Sequence, residues 1–341
     1  MADIVQFSKG VNFSKWFETR NFDDIIFNKF TEKDFTDIKS LGMDVIRIPI
    51  RFHDYTLEKG GNSLNPELFK YLDAAVSWAE KYRIYLILDN HSFHPTDPTD
   101  INIDKILIPV WEQIADYYKN KSDYIIFEIL NEPHGIPDDV WGTIQGNTID
   151  AIRKYDKNRV IIVGGTNYNS IEKMLLIPEY KEKNLIYTFH FYDPHLFTHQ
   201  GAMWNKPSLA PLSNVPFPLG DNKLPEIHDT FKSTWVEALI KSYPYDSKPE
   251  NISASLERAA IFSRERNVPV FCGEFGVFMI QSQREDRVRW YQFICGELEK
   301  RKFPWACWDY FGGFGFFKTE WRGEFPSDLD MDIIKAMGLK I

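Results

Sequence analysis

The stretch YIIFEILNEP, residues 124–133, is apolar apart from Glu128 until it closes on Asn131, Glu132 and Pro133. A run this apolar, ended by a turn signal, reads as a strand covered on both faces, the mark of a parallel sheet. The same design recurs from end to end. KGVNF (9–13) opens the chain, followed by VIRIPI (45–50), IYLILDNH (84–91), VIIVGG (160–165), LIYTFHFY (185–192), VPVFCGEF (268–275) and WACWDYF (305–311). Together with the first stretch these make eight strand candidates.

Amphipathic segments of helical period lie between them. Thr31, with Asp34 three residues on, is a capping signal for a helix through Phe35, Ile38 and Leu41 that stops at Gly42. Pro66 starts a second, with Leu68, Leu72, Ala75, Val76 and Ala79 along one side. Further helical patterns occupy roughly 106–119, 138–154, 251–266, 284–301 and 329–338. Strands and helices alternating in this way predict an α/β fold, a (β/α)8 TIM barrel, in a single domain over residues 1–341. Residues 193–250 break the rhythm with prolines such as Pro207, Pro211, Pro216 and Pro218 and no long periodic run. The expectation is a long loop insertion after strand six. Its aromatics (Phe197, Trp204, Phe217, Trp235, Tyr243) favour a packed wall of a substrate cleft.

Composition removes several classes of function. A net charge of −9 argues against nucleic acid, which requires a concentrated basic surface. Aromatic residues reach 16%, with 10 Trp and 16 Tyr, which suits either a large aromatic core or the flat faces of sugar rings. Cys272, Cys295 and Cys307 lie in apolar or amphipathic runs and read as buried free thiols, a Cys272–Cys307 bridge being less favoured. No Cys/His spacing resembles a zinc site, so neither metal nor cofactor is expected. No apolar run is long enough to span a membrane. MADIVQFSKGVNF lacks the pattern of a signal peptide, which suggests work inside the cell or a leader already removed, although a polymer substrate would place the protein outside. A monomer is expected.

Chemistry concentrates where the strands end, because barrel sites are built at that rim. The strand-end groups are Asn12, Arg47, His91, Asn131 with Glu132, His190 with Tyr192, Glu274, and Trp308 with Asp309. Glu132 and Glu274 each close an apolar run. Two acids delivered to one rim are what glycosidic bond cleavage needs, one to protonate the leaving oxygen and one to attack or to activate water. Asp89 and Glu128, inside their strands, read as structural.

ILNEPHG (129–135), HFY (190–192), GEFG (273–276), IRIPI (46–50) and the Trp of ACWDYF, in this order, resemble glycoside hydrolase family 5 over nearly the whole chain. FTHQGAMW (197–204) further resembles a loop of some bacterial endo-β-1,4-glucanases of that family. The resemblance implies a retaining hydrolase with Glu132 as general acid and Glu274 as nucleophile. It also implies that Arg47 and Tyr192 hydrogen-bond Glu274, Asn131 meets the sugar 2-hydroxyl, and His190 lies beside the acid. His91 would bind a hydroxyl, Trp308 would form the floor of the reacting sugar, and Asn12 would support or bind. Trp204 reads equally as sugar platform or loop anchor, and Trp16 and Phe17 share that ambiguity.

With an arginine beside it, Glu274 should be ionised while Glu132 keeps its proton. The substrate class is cellulose-type or mixed-linkage β-glucan, polymer or oligosaccharide, with β-mannan or another β-glycan as the alternative. A non-catalytic carbohydrate-binding barrel is disfavoured because both acids remain. A metal-dependent hydrolase is disfavoured because His190, His195 and His199, with Asp193, match no ligand spacing.

Overall fold

The computed structural model describes residues 6–58, 61–92, 96–226 and 228–340. Among them, parallel strands close into a barrel in chain order. They are β1 (Lys9–Asn12), β2 (Val45–Ile50), β3 (Tyr85–Asn90), β4 (Ile125–Glu128), β5 (Ile161–Gly164), β6 (Leu185–Phe191), β7 (Val270–Phe275) and β8 (Trp305–Cys307). Pairing of Lys9 with Trp305 joins β8 back to β1. Each strand candidate becomes a strand, and the protein is the single-domain (β/α)8 barrel expected.

The principal helices are α1 (Glu32–Ser40), α2 (Pro66–Tyr82), α3 (Asp104–Tyr118) and α4 (Asp138–Tyr155). After β5 come two single turns, α5 (Thr166–Asn169) and α6 (Ile171–Met174). After β6 come the short α7 (His195–Thr198), α8 (Trp235–Asp246) and α9 (Pro249–Arg266), then α10 (Arg284–Lys300) and α11 (Met331–Ala336). Local chemistry sets their starts. The Thr31 backbone N–H donates to Asp34 Oδ2 at 2.7 Å in a capping box, and Asn65 Oδ1 accepts from the Glu67 N–H at 3.0 Å just before Pro66 opens α2. No helix among the described residues is long and apolar enough to cross a membrane.

Two cores follow from the period-two alternation of strand side chains. Phe7, Val45, Ile87, Ile126, Ile162, Ile186, Phe271 and Ala306 fill the barrel interior as a separate buried cluster. Alternate residues such as Ile46, Ile48, Leu86, Leu88 and Phe127 face outward to meet Phe35, Leu72, Val76, Trp111 and Ile114 of the helices. Two residues beyond the inner plug the same face turns polar: Val45 gives way to Arg47, Ile87 to Asp89, Ile126 to Glu128. The plug is therefore the floor on which a buried charged layer rests.

Residues 193–250 depart from the expectation of a plain loop. Helix α8 is capped by Thr234, whose Oγ1 accepts from the Val236 N–H at 3.2 Å, and it buries Val236, Ile240 and Tyr243. Pro244 in its last turn masks a helical period that those three residues do carry. The segment is tied down: Tyr243 Oη donates to the Pro216 carbonyl at 2.6 Å, and the Gln200 side chain bonds the Phe197 carbonyl and the Val215 N–H at 2.9 and 2.8 Å. Cys272, Cys295 and Cys307 are buried and unbridged.

Candidate active site

Arg47 organises the site from below. Its side chain is fully buried, donating from Nε and Nη2 to Glu128 at 2.7 and 2.9 Å and from Nη1 to Glu274 Oε1 at 2.8 Å. Asp89 Oδ2 lies 3.0 Å from Nη2, and the amide oxygens of Asn12 and Asn131 accept at 2.9 and 2.8 Å. Burial disfavours the guanidinium charge, but the three carboxylates outweigh it and hold the proton more firmly than on an ordinary arginine. Asn12 is wholly buried, and its amide donates to the Gly273 and Cys307 carbonyls at 3.1 and 3.2 Å. Its part is support, tying β1 to β7 and β8 under the site.

Glu274 and Glu132 stand above this layer. Glu274 takes Arg47 on Oε1 and the Tyr192 hydroxyl on Oε2 at 2.9 Å. Burial raises its carboxyl above the usual range, with His190 and Arg47 pulling it back. Glu132 has a left-handed backbone, φ 48, and its Oε1 lies 2.7 Å from His190 Nδ1. Burial pushes this carboxyl up to about 7, with His91 and Arg47 opposing. Arg47 bonds Glu274 directly and reaches Glu132 only at a distance.

His190 joins them. Its Nδ1 is also 3.6 Å from Glu274 Oε2, and the ligand atoms of Glu132, His190 and Glu274 all lie within 4.8 Å of one another. Burial lowers the imidazole to about 4, so the ring is neutral at ordinary pH. The pairing of β6 with β7 passes from Phe189–Cys272 to His190–Glu274 and skips Gly273; β6 keeps its alternation, and this extra residue on β7 turns Glu274 inward beside His190.

His91 and Trp308 form the opposite wall, their rings 5.8 Å apart and 19° from parallel. Burial pulls the His91 imidazole down, but Asp89, 2.8 Å from Nδ1, overrides it and carries the group up to about 9. At Nε2 the Asn131 amide, 3.3 Å away, donates to a neutral ring. Protonation breaks that contact and frees an N–H toward Glu18, whose Oε1 is 4.0 Å off. Beside Trp308, burial raises Asp309 to about 7 although Ser14 Oγ donates to it.

The structure thus joins Arg47, His91, Asn131, Tyr192 and Glu274 in one hydrogen-bonded network, sets the Glu132–His190 pair 3.6 Å from Glu274, and places Trp308 against His91. Trp204 stands apart at the rim, 45% exposed, edge-on to Phe278 with ring centroids 5.0 Å apart. Trp16 and Phe17 are wholly buried, and Trp16 Nε1 donates to the Phe27 carbonyl at 3.0 Å, so both anchor their loop. Asp89 and Glu128, read from sequence as structural, belong to the charged layer that holds Arg47 and His91. Counting by twos from Ile87 and Ile126 was the signal for them. Asn169, 3.3 Å from His190 Nε2, carried no comparable signal.

Two carboxyls facing one another at the rim of a (β/α)8 barrel are what glycosidic bond cleavage needs. The chain belongs to the cellulase family, glycosyl hydrolase family 5, which matches residues 8–312. It is 27% identical to Endoglucanase C of Acetivibrio thermocellus over 332 residues, covering 90% of this chain and 92% of that one. Endoglucanase 3 of Fibrobacter succinogenes is 30% identical over 358 residues, 97% of this chain and 52% of the relative. Among solved structures, endoglucanase Cel5A of Thermotoga maritima superposes with a TM-score of 0.80 at 25% identity, covering 97% and 96% of the two chains. That enzyme has also been solved with mannotriose, superposing at 0.78 with 27% identity over 97% of each chain.

Proposed function

We propose that this protein is an endo-β-1,4-glucanase that cleaves cellulose-type or mixed-linkage β-glucan with retention of configuration, Glu274 serving as nucleophile and Glu132 as acid/base. The observation that carries this reading is the asymmetry of the acid pair: both carboxyls touch or approach His190, but only Glu274 is bonded to Arg47 and Tyr192. Carboxyls about 5–5.5 Å apart leave room for a covalent glycosyl-enzyme and none for an interposed water. The 4.8 Å limit on the ligand atoms of the cluster is consistent with that spacing.

In the first half-reaction Glu274 attacks the anomeric carbon while Glu132 gives its proton to the departing oxygen. Once Glu274 is esterified its charge is gone, and the carboxylate left on Glu132 takes a proton from water, which attacks the same carbon and releases the sugar. Asn131, fixed by Arg47, faces the 2-hydroxyl, where a hydrogen bond strengthens as positive charge develops on the sugar. Trp308 is the floor of the reacting ring and His91 a hydroxyl partner. Trp204 is a platform farther along the cleft, whose wall is the packed 193–250 segment. Every group of the site comes from one chain, so the chemistry needs no second copy.

The test is initial reducing-end release on barley β-glucan, carboxymethyl cellulose, glucomannan, mannan, xyloglucan, xylan and laminarin, with Glu274→Ala as blank. Activity on the β-1,4-glucans that vanishes in the variant is the expected result. Mannan in first place would move the substrate class within the family, as the mannotriose complex of Cel5A makes worth testing. No release from any of them would overturn the polysaccharidase reading.

A further inference from the structure

Behind His190, on the side away from the acids, stands Asn169. Its amide is wholly buried, with Nδ2 3.3 Å from His190 Nε2 and Oδ1 without a hydrogen-bond partner among the described residues. Placing it there strains the backbone. Asn167, Tyr168 and Asn169 have φ of 51, 61 and 54, three successive left-handed residues where one non-glycine is already unusual. Two glycines clear the space: a Cβ on Gly164 would lie 2.4 Å from Asn169 Oδ1, and one on Gly273 would lie 3.2 Å from His190 Nε2. Strain and cleared space converge on a single contact, which points to a contact with a task.

We infer that Asn169 fixes the tautomer of His190 and thereby reserves the Glu132 proton for the departing glycosidic oxygen. This rests on the acid role proposed for Glu132. A neutral imidazole has one N–H, and an amide nitrogen can only donate. With Asn169 donating to Nε2, the ring proton sits on Nδ1 and donates to Glu132 Oε1 at 2.7 Å. Oε1 is then occupied as an acceptor, and the acid's proton resides on Oε2, free to reach the substrate. In the opposite tautomer Nδ1 would accept that proton and hold it in a hydrogen bond facing away from the leaving group. The same Nδ1–H steadies the Glu132 carboxylate when it acts as base. Asn169 is a positioning residue that touches no substrate and acts through His190.

Leaving-group chemistry separates this role from a merely structural one. Asn169→Ala removes the donor, and the near-isosteric Asn169→Asp replaces it with an acceptor that demands the wrong tautomer. Each variant is assayed on 2,4-dinitrophenyl β-cellobioside, whose leaving group needs no proton, and on phenyl β-cellobioside, whose leaving group does. The expected kcat/KM falls about 10-fold or more on the phenyl substrate, a share of the ~10²–10⁴ general acids supply, and stays within about twofold on the dinitrophenyl one. Glu132→Ala runs alongside. If it lacks this leaving-group pattern, the acid assignment itself fails. If it shows the pattern while the Asn169 variants lose activity equally on both substrates, or on neither, the tautomer inference is overturned. Should Asn169→Ala not fold, Asn169→Asp alone is read by the same criteria.

Discussion

Arg47 and Glu128 meet in a two-pronged pair, Nε to Oε2 at 2.7 Å and Nη2 to Oε1 at 2.9 Å, with 0% and 1% of their side chains exposed. The same guanidinium also serves Asp89 and Glu274, so one guanidinium is shared by three buried carboxylates, with His91 a second partner of Asp89. Removing it leaves those charges uncompensated, a loss of about 3–5 kcal/mol where a buried pair is broken. Arg47→Met is therefore expected to unfold at markedly lower urea. Adding Glu128→Gln should recover part of that stability without recovering activity, because Glu274 still lacks its partner. Equal urea midpoints for the single and double variants would contradict the shared-cation account.

Glu128→Gln alone tests the competition for Arg47. With one rival gone, Arg47 pairs more closely with Glu274 and favours its ionised form, which lowers the Glu274 pKa. Activity requires that ionised form, so the acid limb of kcat/KM against pH moves to lower pH, by about half to one unit. A limb that stays in place or moves upward shows that the two glutamates do not compete.

In the unaltered protein the pH profile is expected to be bell-shaped with its optimum on the acid side of neutrality. Rising pH strips Glu132, which burial holds at about 7, and activity falls there. Falling pH protonates Glu274, whose carboxyl lies above the ordinary range, and closes the lower limb. A flat profile from about pH 4 to 9 would contradict two-carboxylate catalysis.

Chemical rescue assigns the two acids separately. Glu274→Ala should abolish turnover, with azide forming a glycosyl azide of inverted configuration. Glu132→Ala should lose about 10²–10⁴-fold on unactivated substrates and give the azide of retained configuration. Product configuration by NMR decides, and the reverse pattern would exchange the roles.

Glu132, His190 and Glu274 also bring an imidazole and two carboxyls within 4.8 Å, a donor set that suits zinc or copper once His190 Nδ1 gives up its proton to solvent. Added Zn2+ or Cu2+ is expected to inhibit competitively with substrate and to be reversed by EDTA. EDTA alone should leave the rate unchanged, because a cation there would occupy both catalytic carboxyls. Loss of activity with EDTA alone would contradict this.

The strand ends were the most legible part of the chain, since a polar residue closing an apolar run has only the barrel rim to occupy. The grouping of Arg47, His91, Asn131, Glu132, His190, Tyr192 and Glu274 was legible for that reason. Asp89 and Glu128 were harder: period two turns them inward, but a charge inside a barrel makes sense only once Arg47 on the neighbouring strand is beside it. Asn169 is invisible to periodicity because a strained left-handed turn aims it, and no pattern of apolar residues encodes that. Trp16 and Trp204 look alike as loop aromatics; the first is closed over by Phe17 and Phe30, and the second is left open at the rim. Helix α8 hid behind Pro244.

The extra residue Gly273, which turns Glu274 toward His190, makes β7 intolerant of any change in length. Deleting it would turn Glu274 toward the helices and bring Phe275 into the cleft. The segment from 193 to 250 starts with residues that hold Tyr192 in place, Thr198 Oγ1 donating to its carbonyl at 2.5 Å and the His199 ring 5.0 Å from its ring, so only the part beyond His199 can change in length without disturbing the chemistry. New substrate ranges are therefore best sought by exchanging the segment beyond His199, with the frames of β6 and β7 left untouched.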